Sequence, residues 1–452
     1  MGTEGKIKSK IPFVVIILGL VSLLTDSATE MIYPLIPAFI TALGAGAIIL
    51  GIIEGLAETT AALLKLVSGI ISDRLGKRKL LVVIGYSISS FIRPLTGLVA
   101  SAWQIVFIRM FDRVGKGIRT APRDALIASA TDEKVRGRSY GFERAMDNTG
   151  AVIGPLLAII ALLVIITGFG IKDSLIALRW TFLFAIIPGI LSVLILVLYV
   201  RENAQGNKRN GSFILSFRHF DSNFKRYLII VLLFTLGNSS DAFLLFRVEE
   251  SIKNSGAVVN LVKEITFLNN IISKFGSVNA QAQIINILFL PLVWAFFNII
   301  KAVLSTPFGA LSDKTGRKII INIGWGIYVF VYASFALLVF LPAGLQIIAT
   351  FVLFGVYALF YAFTEGTEKA LVADMVKEEY RGTAFGLFNF SIGLGALPAS
   401  VIFGLLYSFF DSRYPGYGGS VAFGFGAMLA LISMILLSTM VKEPSELRGR
   451  AT

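Results

Sequence analysis

Apolar residues run in twelve long segments separated by polar stretches, at about 11–43, 47–71, 80–100, 103–130, 139–167, 175–200, 227–250, 283–311, 319–341, 345–374, 382–410 and 418–441. A helix needs about 20 apolar residues to cross the hydrocarbon core of a bilayer. Such a segment must satisfy its own backbone hydrogen bonds, so the pattern predicts an all-α membrane protein of twelve transmembrane helices. The segments fall six and six. The predicted organisation is an N-terminal six-helix bundle over 1–200, a cytoplasmic linker over 201–226, a C-terminal six-helix bundle over 227–441 and a cytoplasmic tail over 442–452. The first run starts near Ile11, exceeds 20 residues and lacks a small-residue cleavage pattern, so it reads as a true span.

Two polar stretches carry their own periodicity. In the linker, Phe213, Phe217, Phe220 and Phe224 recur at helical spacing beside Arg218, His219, Lys225 and Arg226. This predicts an amphipathic helix at the inner membrane surface, its basic face on anionic lipid headgroups. Between segments 7 and 8 lies an outward-facing insertion, 251–282. There Val258, Leu261, Ile265, Leu268, Ile272 and Phe275 step by three and four, which describes one apolar helical face, over an outer vestibule or on the bilayer surface.

Composition agrees with this reading and narrows the function. The chain is 56% hydrophobic and 15% charged, with a mean hydropathy of +0.79, which excludes a soluble globule and a disordered chain. The 41 basic and 28 acidic residues give a net charge of +13. In a membrane protein that surplus reports topology before nucleic-acid binding. Twenty-four basic residues lie in the termini and the alternate loops around Arg74–Lys79, Lys134–Arg138, Arg201–Arg226, Lys314–Lys318 and Lys377–Arg381, against seven on the other side. Both termini are therefore expected in the cytoplasm. With no cysteine and one histidine, thiol chemistry, His-based triads and metal sites drop out. No phosphate-binding Gly-rich loop points to direct ATP drive. No enzyme activity, cofactor or metal is expected.

The two halves repeat. Gly69-Ile-Ile-Ser-Asp73-Arg74-Leu-Gly76-Lys-Arg78 aligns with Gly309-Ala-Leu-Ser-Asp313-Lys-Thr-Gly316-Arg-Lys318 at an offset of 240. A second block, around Ala125–Ala128, Arg136-Gly137, Gly141 and Gly150, returns at an offset of 245 around Ala370–Ala373, Arg381-Gly382, Gly386 and Gly395. Duplicated six-helix halves are the architecture of a rocking secondary transporter. Asp73 and Asp313 sit where a carboxylate could cap a helix of the opposite half, and glycines at 76 and 316 permit a tight turn. Gly150, Gly154 and Pro155 on helix 5 allow close packing and a bend.

These residues carry a resemblance to the major facilitator superfamily over essentially the whole chain. Gly69-x3-Asp73-Arg74-x-Gly76-x-Arg78 resembles its signature loop after helix 2, and Arg113-x3-Gly117 resembles a second motif on helix 4. Gly150-x3-Gly154-Pro155 resembles the motif of proton-coupled exporters, although its usual closing Gly-Gly is Ala158-Ile159 here. The run from Asp112 to Asp124 is similar to a broad prokaryotic subgroup, in which Glu143 stands where a histidine is expected. The resemblance implies a twelve-helix secondary transporter of the plasma (inner) membrane with two pseudo-symmetric halves.

Ten basic and eleven acidic residues remain inside the predicted spans. A charge facing lipid at mid-membrane costs about 3 kcal/mol, on the order of 60 kcal/mol for the set, so these groups must face water, the bundle interior or one another. They concentrate in the N-half. Asp26, Glu30, Glu143, Asp147 and Asp112 are candidates to carry a coupled proton. Arg109, Arg113, Lys116, Arg119, Arg123 and Asp241 are candidate cavity groups or charge partners. Folding adjacent helices as hairpins sets Arg123 level with Asp147, Asp26 level with Lys65, and Glu30 near Glu58. The function expected is alternating-access transport of a small organic solute by a monomer, with protons as the coupling ion and no nucleic-acid partner. Export is favoured by helix 5. Import of an anionic metabolite is the alternative suggested by the cation-rich helix 4, and a membrane-embedded sensor is a further one.

Overall fold

Proline and glycine decide where each apolar run bends. In a computed structural model of the chain, residues 11–75, 78–131, 133–201, 220–253, 256–275, 277–377 and 380–443 are described. Span 1 is Phe13–Ala42, broken after Glu30 where Pro34 and Pro37 open its last turns. Span 2 is Ala47–Leu75, span 3 is Arg78–Leu98, and span 4 is Ala102–Ala130. Span 5 is Glu133–Leu163 followed by a π-turn, Val164–Gly168. Span 6 is Ser174–Tyr199. Span 7 is made of two helices, Ser222–Gly237 and Ala242–Lys253, with the break at 238–241. Spans 8 to 12 are Val278–Thr315, Arg317–Phe340, Ala343–Asp374, Arg381–Arg413 and Gly418–Met440. No strand occurs among the described residues.

Eleven of these segments are long and apolar enough to cross a membrane by length and composition. Span 4 has the length, at 29 residues, but carries Arg109, Asp112, Arg113, Lys116, Arg119, Arg123 and Asp124. Four of them, Arg109, Asp112, Arg113 and Arg119, are buried, so the charge points into the bundle. The opposite surface is apolar. Leu198, Ile229, Val303 and Phe409 are largely exposed, as a lipid-facing surface requires.

The packing repeats with the sequence. Span 1 packs on 5 and 6, span 2 on 4, span 3 on 4 and 6; span 7 packs on 11 and 12, span 8 on 10, and span 9 on 10 and 12. Each pairing recurs six spans later. Span 2 meets span 11 and span 5 meets span 8, two contacts that the same operation exchanges. Glycines make the first contact close. A Cβ on Gly55 would fall 3.0 Å from the Leu397 backbone, one on Gly404 would fall 2.6 Å from the Ala47 carbonyl, and Thr59 donates to the Gly393 carbonyl at 2.8 Å.

The starts of spans 7 and 9 lie against the end of span 12. Asn223, at the start of span 7, bonds to Lys442 in both directions, and the Lys318 amide donates to Glu443. Gly316 turns span 8 into span 9 with φ of +99°, the left-handed conformation expected of it. The expected linker helix lies mostly outside the described residues, and the expectation for 251–282 changes. The linker helix is described only from Phe220, where Asp221 caps span 7; Phe213 and Phe217 lie outside the described residues. The 251–282 insertion is two short helices, Gly256–Lys263 and Thr266–Ile272, rather than one. Ile265 falls at their junction and is exposed, while Val259, Ile271, Ile272 and Phe275 take the buried side.

Candidate functional site

Span 4 organises the buried charge in layers. Near the end opposite the termini, Asp112 accepts from Arg93 at 2.7 Å and lies 3.9 Å from Arg109. Arg109 bonds Glu54 at 2.8 Å and stands over the Tyr33 ring. One layer along, Arg113 bonds Glu58 at 3.1 Å. Beyond it, Arg119 donates to Ser89 at 2.7 Å and covers the Tyr86 ring at 4.4 Å. Arg123 bonds Glu143 at 2.7 Å, and Ser22 donates to the same carboxylate. Asp112 is thus an interior ion-pair partner. Glu143, level with Arg123 and Ser22, holds span 5 against spans 4 and 1.

The hairpin pairings are not what forms, because span 1 packs little on span 2 and span 4 little on span 5. Span 1 leans on span 5 and span 2 on span 4. Arg123 therefore takes Glu143 instead of Asp147, Glu58 takes Arg113, and Asp26 feels Asp147, Lys116, Glu30 and Arg119 rather than Lys65. Gly150 and Gly154 set the crossing that brings Asp26, Glu30 and Asp147 together. A Cβ on Gly154 would fall 2.6 Å from the Ser27 carbonyl and from Glu30 Cβ, and one on Gly150 would fall 3.0 Å from Asp26 Cβ. Pro155 lies one residue further along the same helix. Lys116 has no carboxylate within ion-pair distance among the described residues.

Between the halves lies a cavity of about 400 Å³. Its N-half wall presents Tyr33, Glu54 and Glu58. Its C-half wall presents Phe234, Asp241, Trp325, Phe360, Tyr361, Glu365, Glu368, Lys369 and Phe388. Asp241 occupies the break in span 7, where it accepts from Tyr357 at 2.6 Å and from Tyr361 at 3.0 Å. Glu368 accepts from the Trp325 indole at 2.9 Å. Glu30 reaches across the halves to the Trp294 indole at 2.5 Å.

The halves are joined on the side opposite the termini. Tyr33 bonds Ser240, Thr41 bonds Glu249, and Ser174 bonds Gln283. Towards the termini the described link is Arg144, paired with Asp147 on its own span and with Glu365 on span 10. Exposed Lys369 and Asn389 line the cavity on that side.

The gate residues are only partly described. The side chains of Asp73 and Arg74, and Gly69, are not, and Gly76 lies outside the described residues altogether. Arg78 points to the Ala125 carbonyl at 3.5 Å. Asp313 bonds Arg317 at 2.5 Å within its own half instead of capping a helix of the other, and Arg317 also bonds Asp374. Gly309 has open space where a side chain would be. Sequence reasoning picked out Asp241 but passed over its tyrosines and the aromatic wall. Tyr357, Tyr361 and Glu365, Glu368 recur at spacings of four and three, a signal for one helix face that competing core aromatics concealed.

Comparison with known proteins agrees with this architecture. The model of the Major Facilitator Superfamily matches residues 18–363 and 265–452. An uncharacterized MFS-type transporter of Methanocaldococcus jannaschii is 33% identical over 423 residues, 94% of each chain. The multidrug resistance protein MdtH of Escherichia coli is 30% identical over 128 residues, covering 28% of this chain and 32% of MdtH. Among solved structures, a mutant of the nucleoside transporter NupG superposes with a TM-score of 0.71 at 14% identity, over 95% of this chain and all of NupG. A D-xylose–proton symporter superposes with a TM-score of 0.68 at 15% identity, over 96% and 98% of the two chains. A chain of this fold and helix content is a multi-pass protein of the plasma membrane. It belongs to the Major Facilitator Superfamily, as a secondary transporter working by alternating access.

Proposed function

We propose that the protein couples export of a small organic solute to protons moving the other way. Two six-helix bundles, 1–200 and 227–441, rock about the cavity between them, with both termini in the cytoplasm. The observation that carries the coupling is the crossing of spans 1 and 5, where Asp26, Glu30 and Asp147 gather around Gly150 and Gly154 with Lys116 as a nearby cation. Carboxyl groups within reach of one another and of one movable cation can take up a proton in one conformation and release it in the other. The Trp294–Glu30 bond ties that crossing to the opposite half, so rocking changes its surroundings. Export is supported by the helix 5 glycines and by the partial match to MdtH.

Import of an anionic metabolite has less support. Three of the span 4 arginines that suggested it, Arg109, Arg113 and Arg123, are paired with Glu54, Asp112, Glu58 and Glu143, leaving Lys116 and Arg119 as the span 4 cations without an ion-paired carboxylate among the described residues.

The experiment is a stabilisation screen of the purified protein, followed by flux of stabilising compounds in proteoliposomes under an imposed pH gradient. Gradient-driven accumulation is expected in wild type. Asp26→Asn should abolish accumulation yet leave gradient-free exchange of the same compound within about two- to threefold, because the cavity is intact. Flux indifferent to the gradient in wild type removes the proton from the reading.

A further inference from the structure

The two walls of the cavity treat their carboxylates differently. On the N-half wall, Glu54 and Glu58 are neutralised from behind by Arg109 and Arg113, whose guanidinium groups are buried. On the C-half wall, Glu365 pairs with Arg144, but Asp241 is held by two phenol hydroxyls and Glu368 by an indole N–H. No ion pair joins either to a cation among the described residues. Neutral donors satisfy lone pairs but supply no paired counter-charge, and a carboxylate removed from water calls for a positive partner. The cations on this side are Lys369 and Lys301. Lys369 is exposed at the rim, and the Lys301 ammonium stands 5.5 Å from the Tyr361 ring and 5.6 Å from that of Phe297.

Beside the two carboxylates the wall is aromatic. Phe234 stacks on Trp325 at 4.2 Å between centroids, with Phe360 at 5.9 Å from Phe234 and 4.9 Å from Tyr361. Electron-rich ring faces next to carboxylates that lack an ion-pair partner attract a cation by two mechanisms at once, and the same rings bury an apolar body. A volume of about 400 Å³ suits a ligand of one or two rings.

We propose that the C-half wall is the binding site for an organic cation, an ammonium carried on an aromatic or bulky apolar body. The cationic head sits against Asp241, and the body lies along Phe234, Trp325 and Phe360. Glu368 supplies the second negative charge on the path to the termini side. This assignment rests on the transport reading above and gives it a substrate class.

Equilibrium binding to the detergent-purified full chain tests it without any transport. Phenyltrimethylammonium and benzenesulfonate are the probes, similar in size and opposite in charge. Phenyltrimethylammonium should bind at least tenfold more tightly, and Asp241→Asn should weaken it about tenfold, as should Glu368→Gln. Equal affinities, a preference for the sulfonate, or no binding of the cation overturns the assignment. So does wild-type affinity in both variants once their melting midpoints match wild type. The comparison of the two ions on wild-type protein decides the matter even where a variant fails to fold. Cation-selective binding without gradient-driven flux of the bound cation would instead count against coupled export and leave the site standing. Coupled flux of another solute, with no cation preference, would do the reverse.

Discussion

Asp112 and Asp26 look alike in sequence, as aspartates within membrane-spanning segments, but their surroundings give them opposite duties. Asp112 lies between Arg93 and Arg109, all three nearly inaccessible. Replacing it with asparagine leaves the buried Arg93 guanidinium without its counter-charge, while Arg109 keeps Glu54, and breaking a buried pair in this way costs about 3–5 kcal/mol. Asp112→Asn should therefore lower the melting midpoint of the purified protein sharply, whereas Asp26→Asn, next to Asp147 and Lys116, should leave it near wild type. An unchanged midpoint in Asp112→Asn would show that the three-residue cluster is not a structural clamp. The sequence marked both residues as interior charges but could not tell them apart. That distinction depends on which cations other spans deliver, and Arg93 arrives from span 3.

Between elements, glycine spacing does more than permit packing. Gly150 and Gly154 face span 1 so closely that side chains there would collide with the Leu23 and Ser27 carbonyls and with the stems of Asp26 and Glu30. Gly141, on the same span, has open space in the corresponding direction. Gly154→Val should force the spans apart, costing at least tenfold in transport and several degrees in melting midpoint, while Gly141→Val should change either only slightly. Equal tolerance of both substitutions would remove the close crossing as a determinant of the carboxylate cluster. The glycine motif was legible in the sequence. Its partner was not, because consecutive spans suggested hairpins and the fold instead packs span 1 on span 5. The interrupted span 7 was equally hidden, since 227–250 reads as an unbroken apolar run, and the break at 238–241 is what puts Asp241 on the cavity wall.

At the scale of the molecule, the two halves are clasped on one side and meet through Arg144 and Glu365 towards the other. Alternating access requires the clasped side to part. The natural absence of cysteine gives a clean background for testing this. A cysteine pair replacing Thr41 and Glu249, whose side chains bond at 3.1 Å, should cross-link under oxidation and arrest flux, with recovery on reduction. Undiminished flux from fully cross-linked protein would mean that this side need not open.

Local pattern was enough for the properties that each segment expresses by itself. Eleven runs long and apolar enough to span, the glycine turn at Gly316 and the lack of any cysteine all follow from residue order and composition. The reason is that a bilayer imposes its demand segment by segment, so hydrophobicity and length decide the outcome before any helix meets another. Partner choice is a different kind of quantity. That Glu58 pairs with Arg113, that Glu30 meets Trp294 across the halves, and that Asp241 and Glu368 are met by tyrosine and tryptophan rather than lysine depends on which helix faces adjoin in three dimensions. Hydrogen bonds and ion pairs act over a few ångströms, and only the tertiary packing brings residues tens or hundreds of positions apart within that range.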